Sequence, residues 1–149
     1  MLIETTRFGP VEIDAERIIR FRDGLLGFPQ HHRFALIQTA IDPVFFWLQS
    51  VDDPALAFVV CDPLAFEPDY RVPIRADDVA LLELRDLNDC QVLIIVNKIG
   101  EQLTGNLLGP LVIGAHSLLG KQLVLSERRY STREPLLRRE NAAELARTA

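Results

Sequence analysis

The run Phe45-Phe46-Trp47-Leu48-Gln49-Ser50-Val51-Asp52-Asp53-Pro54-Ala55-Leu56-Ala57-Phe58-Val59-Val60-Cys61-Asp62-Pro63 decides the fold. Two stretches rich in aromatic and β-branched residues flank an acidic turn that carries a proline. That is the composition of a hairpin with buried strands and a charged tip. Reading outward, Asp42-Pro43 marks a turn before Val44–Ser50, with the strand Arg33–Thr39 upstream of it. Leu2–Thr5, Val11–Ile13 and Ile18–Phe21 are further short strands separated by turn residues such as Gly9-Pro10. Downstream of Ala57–Cys61 and a proline-rich interval, the β pattern resumes at Gln91–Lys98, Thr104–Ile113 and Gln122–Leu125.

These nine segments leave little room for crossover helices, which argues against a parallel βαβ architecture. The expected fold is all-β, a small antiparallel β-barrel or closed sandwich, over residues 1–135. One short helix is expected near Asp77–Leu84, where an acidic start precedes apolar residues at helical spacing, and it is expected to plug the barrel. Residues 136–149 mix Arg, Glu and Ala and read as a tail, either a frayed helix or disordered. Gly105, Gly109-Pro110 and Gly114 punctuate an otherwise long apolar strand, which suggests bulges or a bend where one strand serves two sheet faces.

The net charge of −5 is unevenly spread. Residues 42–101 hold twelve acids against four bases, a local balance of −8, whereas residues 127–149 hold six arginines against four glutamates. A concentrated acidic surface repels nucleic acid and steers basic partners toward itself. The C-terminal arginines do not reverse this, because glutamates interleave with them and Tyr130 is the one aromatic residue near them. No membrane span is expected, since charged residues interrupt every apolar run and Glu4, Arg7, Glu12 and Asp14 break up the N-terminus.

Catalytic and metal constellations are missing from the sequence. His31 and His32 are adjacent and point to opposite faces in an extended segment, and His116 stands apart. Cys61 and Cys90 have no metal or redox spacing and read as packed thiols. The serines lack a nucleophile-elbow context, and no phosphate-cradling glycine loop occurs. The paired carboxylates Asp52-Asp53 and Asp77-Asp78 lie at a turn and a helix start, where such pairs are usually solvated or capping.

Five blocks then carry a resemblance. They are Phe8-Gly9-Pro10-Val11-Glu12-Ile13; Ile19-Arg20-Phe21-Arg22-Asp23-Gly24-Leu25-Leu26-Gly27-Phe28; Leu48-Gln49-Ser50-Val51 leading to Leu56-Ala57-Phe58-Val59-Val60; Thr104-Gly105-Asn106-Leu107-Leu108-Gly109-Pro110-Leu111-Val112-Ile113; and Lys121-Gln122-Leu123-Val124-Leu125. In this order and spacing the chain resembles the bacterial flagellar assembly factor family FliW over most of residues 1–133. It departs from that pattern at Gly114, where the family commonly has Asn, and at Glu134, where a His is often found.

The resemblance implies a cytoplasmic, non-enzymatic switch without cofactor or metal. Proteins of this kind bind flagellin and, once flagellin is exported, bind and antagonise the translational regulator CsrA. The regulator-facing candidates are Asp52, Asp53, Glu67, Asp69, Asp77 and Asp78, all within the acidic span. Phe46 and Trp47 are the candidates for flagellin contact, and because neighbours in a strand face opposite ways, at least one of the two is expected in the core. A different class of reading remains open: a small-ligand or flavin-binding β-barrel protein, since closed barrels readily hold ligands in their mouths.

Overall fold

The structure, a computed structural model, describes residues 1–38 and 44–136. The turn expected at Asp42-Pro43 and the tail expected over 136–149, apart from Leu136, lie outside the described residues. Among the described residues there are eleven strands: β1 (Leu2–Thr5), β2 (Gly9–Glu12), β3 (Ile19–Phe21), β4 (Arg33–Gln38), β5 (Phe45–Ser50), β6 (Ala57–Cys61), β7 (Cys90–Ile99), β8 (Gln102–Gly105), β9 (Leu111–Gly114), β10 (Leu119–Gln122) and β11 (Glu134–Pro135). The helix α1 spans Ala76–Leu81.

β1 and β2 form a separate hairpin. The other nine strands make one sheet, in the order β11-β8-β7-β6-β5-β4-β3-β10-β9, and a further pairing of β9 with β7 closes seven of them into a barrel. All pairings between strands are antiparallel except β3 with β10, where Leu119 lies beside Arg20 and Gly120 beside Phe21. β7 is long enough to serve two partners on one edge: Cys90–Leu93 pairs with β9, and Val96–Ile99 pairs with β8.

The segment read as one strand over Thr104–Ile113 is therefore two. The Asn106 side-chain oxygen accepts the Leu108 N–H at 3.2 Å, and Pro110 has no N–H to give a ladder, so the chain turns between β8 and β9. The strand expected over Gln122–Leu125 sits earlier, at Leu119–Gln122, while Leu123 and Leu125 donate to the Pro110 and Leu108 carbonyls of that turn.

Side chains alternate across the barrel wall with period two. Phe34, Leu48, Val60, Leu93, Leu111 and Ile113 face inward with Ile19, Phe21 and Leu25. Their neighbours Cys61, Ile94, Val96 and Val112 face outward and are buried as well, beneath covering segments. One cover is the loop carrying Phe66 and Tyr70, whose hydroxyl donates to the Leu107 carbonyl at 2.6 Å. The other is the helix region, where Leu82, Leu84 and Val79 pack on Val112 and Leu123. The helix is thus a lid on the outer face of β9, not a plug of the barrel. Its apolar residues are too few and too closely spaced to fill an interior that inward side chains already occupy.

The helix also begins and ends differently from the sequence reading. Arg75 is its N-cap, and the Asp78 carboxylate accepts the Arg75 N–H at 3.0 Å, closing the first turn. Glu83 adopts a left-handed conformation, φ 52°, and stops the helix before Leu84. Where β10 meets β3, a Cβ on Gly120 would sit 2.5 Å from the Phe21 ring, so glycine there lets Phe21 be fully buried.

Candidate partner-binding surfaces

The β5–β6 turn is built around two side chains. Ser50 Oγ accepts the N–H groups of Asp52 and Asp53 at 3.3 and 3.0 Å, and the Asp53 carboxylate accepts the Ala55 N–H at 3.0 Å. Gln49 is fully buried, and its Nε2 lies 3.1–3.3 Å from the carbonyls of Ser50, Asp53, Pro54 and Leu56, so it gathers the turn from beneath. The Thr6 N–H donates to the Pro54 carbonyl at 2.8 Å and fastens the N-terminal hairpin to the same turn.

Asp52 is exposed but not free. The Arg33 guanidinium binds it through both Nε and Nη2. That hydrogen bonding holds the Asp52 carboxyl below the ordinary carboxylate range and raises the Arg33 pKa in turn. Asp53 is half-buried and committed to turn geometry. This tip presents less uncompensated charge than its sequence implies.

The remaining acidic candidates divide. Asp78 is buried, and its carboxylate accepts from the Arg75 N–H and from Lys121 Nζ at 3.1 Å. Burial pushes its pKa up, but these two donors outweigh that and leave it below the ordinary range. Asp78 therefore holds α1 to β10 and leaves the set of surface candidates. Glu67, Asp69 and Asp77 sit on the covering segment that runs from the Phe66 loop to α1, with Asp69 and Asp77 exposed and Glu67 half-exposed. They precede and follow Tyr70, Val72 and Ile74, whose side chains anchor that segment to the outer face of the barrel. Asp52 and Asp53 lie before β6 and Glu67 and Asp69 after it, so a five-residue strand, roughly 15 Å long, separates the two groups.

Phe46 and Trp47 face opposite sides, as alternation requires. Phe46 points inward and packs on the interior cluster. Trp47 points outward, half-buried, with its ring edge-on to Phe8 at 5.9 Å and the Arg7 guanidinium 4.0 Å above it. Phe46 belongs instead to a second feature, a cavity of about 760 Å³ at one end of the barrel. Inward-facing Ile19, Leu36, Phe46, Leu93 and Ile113 line it, and Glu12, Asp14, Arg17 and Asp62 lie at its edge.

Sequence reasoning missed Arg33, Gln49 and Leu36. The hairpin register would have placed Arg33 beside Val51, one residue from Asp52, but residues 33 and 52 become neighbours only once the pairing of β4 with β5 is known. Among the described residues, no group of three or more His, Cys, Asp and Glu side chains converges as a metal site, and no helix is long and apolar enough to cross a membrane.

The family model described as FliW protein matches residues 2–136. The flagellar assembly factor FliW of Alkaliphilus metalliredigens is 41% identical over 141 residues, covering 92% of this chain and 86% of its own. That of Treponema denticola is 39% identical over 145 residues, covering 96% and 98%. A crystal structure of the flagellar assembly factor FliW superposes with a TM-score of 0.83 at 33% identity, covering 92% of this chain and 97% of that one. The seven-stranded barrel, its outer covers and these matches over nearly the whole length agree, and the chain belongs to the FliW family.

Proposed function

We propose that this protein binds flagellin in the cytoplasm and, when flagellin is exported, is free to bind and antagonise a CsrA-type translational regulator, so that flagellin synthesis follows export. It acts by protein contact, without catalysis or cofactor. The observation that carries this reading is the FliW match over residues 2–136, with relatives named as flagellar assembly factors.

Two features of the surface support it. Glu67, Asp69 and Asp77 project from one covering segment and make no side-chain hydrogen bond or ion pair among the described residues, so their charge is available to a basic regulator. The open barrel end offers apolar surface to a polypeptide. Gel filtration of the protein with purified flagellin, with CsrA and with both tests the reading. Each pair should co-elute, and excess flagellin should release CsrA. Failure of both pairs to form would refute it.

The cavity also suits the alternative of a small-ligand barrel, its volume lying inside the roughly 300–1,000 Å³ range of ligand sites. A rise in melting temperature with flavin nucleotides would favour that alternative.

A further inference from the structure

Among the described residues, the barrel wall is open beside Leu36 of β4. β3 reaches only Arg33 and Phe34 of β4, because the chain before Ile19 is a 3-10 turn over Ala15–Arg17 instead of a strand. The phase of the ladder can be read from two bonds. Val51 N–H donates to the Arg33 carbonyl at 3.0 Å, so the odd-numbered residues of β4 bond toward β5; Phe21 N–H donates to the His32 carbonyl at 2.8 Å, so the even-numbered ones turn toward β3. By this alternation the N–H and C=O of Leu36 point to the side where no strand follows among the described residues.

The Leu36 side chain is 41% exposed, although its cross-strand partner Leu48 is fully buried. Both the backbone edge and this side chain border the 760 Å³ cavity, whose floor is Ile19, Phe46, Leu93 and Ile113. Two carboxylates with no ion-pair partner among the described residues, Asp14 and Asp62, and one guanidinium, Arg17, lie around it, while Glu12 beside them is paired with the N-terminal ammonium of Met1. An edge donor and acceptor, an apolar floor and an acidic edge form one composite surface. Unpaired edges of this kind take an added strand, with main-chain bonds giving affinity and the pocket below selecting alternate side chains.

We propose that the barrel mouth is a docking site for an extended segment of a partner polypeptide, added as a strand to β4 at Leu36. Its inward residues are apolar and its flank carries a basic side chain that meets the acidic edge. This deepens, and rests on, the reading that the protein holds a polypeptide partner, while not requiring that partner to be flagellin.

The test uses the full chain and a fluorescein-labelled peptide of alternating valine and threonine flanked by lysines, read by fluorescence anisotropy. Saturable binding is expected, weakened about tenfold or more by Leu36→Asp and by N-methylation of alternate peptide bonds, which removes the donors. Leu26→Asp, at an exposed leucine outside the mouth, should leave binding unchanged. Melting temperatures of both variants near that of the unmutated protein establish folding, and Leu36→Thr serves in place of Leu36→Asp if the latter unfolds. Binding that ignores both Leu36 variants and N-methylation overturns the proposal, as does no saturable binding. A dimer that Leu36→Asp converts to monomer assigns the mouth to a second copy and also overturns it. Peptide binding with no flagellin binding would remove flagellin as the partner and leave the docking site standing.

Discussion

Arg33 and Asp52, nineteen residues apart, meet through a two-pronged hydrogen-bonded ion pair beside the β5–β6 turn. Half-exposed pairs of this kind contribute little to stability. Asp52→Asn should cost less than about 1 kcal/mol in a denaturant titration. Since the folded-state pKa of Asp52 is depressed, its contribution is present above the unfolded value of about 4 and lost as pH falls through the folded value. The difference between unmutated protein and Asp52→Asn should therefore vanish in acid.

The same pair bears on partner recognition. With Asp52 already compensated, the steering charge lies on the covering segment. Reversing Glu67 and Asp69 to Lys moves the local balance of residues 42–101 from −8 to −4 and should slow association with a basic regulator. Salt should blunt the difference as the screening length shortens from about 10 Å at 0.1 M to about 3 Å at 1 M. Surface plasmon resonance of both proteins at two salt concentrations checks this; equal association rates at low salt would place the regulator elsewhere.

Asp78 and Lys121 predict a stability effect of another size. Asp78 is nearly inaccessible, so Lys121→Met leaves a buried carboxylate with one donor fewer and should cost about 1–3 kcal/mol at neutral pH. Its depressed folded pKa means that the pair stabilises at neutral pH and that this is lost as pH falls below about 4. Melting curves of the variant and the unmutated protein should converge there.

Burial on both faces of the wall gives a prediction about packing. Leu111 lies inside the barrel and Leu107 outside it under the Tyr70 loop, yet both are fully buried. Leu→Ala at either position should cost about 2–5 kcal/mol by chemical denaturation. A small loss at Leu107 alone would show that the outer cover is loosely held.

Much of the fold was legible because period-two alternation and turn residues are local signals. β1 and β6 fall where the sequence puts them, and the acidic turn between β5 and β6 is a hairpin tip. The split of Thr104–Ile113 was not legible, because apolar residues on both sides of a doubly covered wall erase the alternation that would mark where β8 ends. Nor was the place of α1, since Val79 and Leu82 pack against Val112 whether that residue faces in or out. The parallel β3–β10 pair joins segments about a hundred residues apart and has no local signature. Charge composition is blind to partners: it cannot distinguish Asp77, which is exposed, from Asp78, which is buried on Lys121.

A competition titration tests the exchange of partners most directly. CsrA is first bound to the purified protein, and flagellin is then added while the heat of binding and the composition of the complex are followed by calorimetry and gel filtration. A CsrA complex that flagellin dissolves, with a flagellin complex taking its place, is expected. No heat and no complex with either protein, in a chain that melts cooperatively, would contradict it.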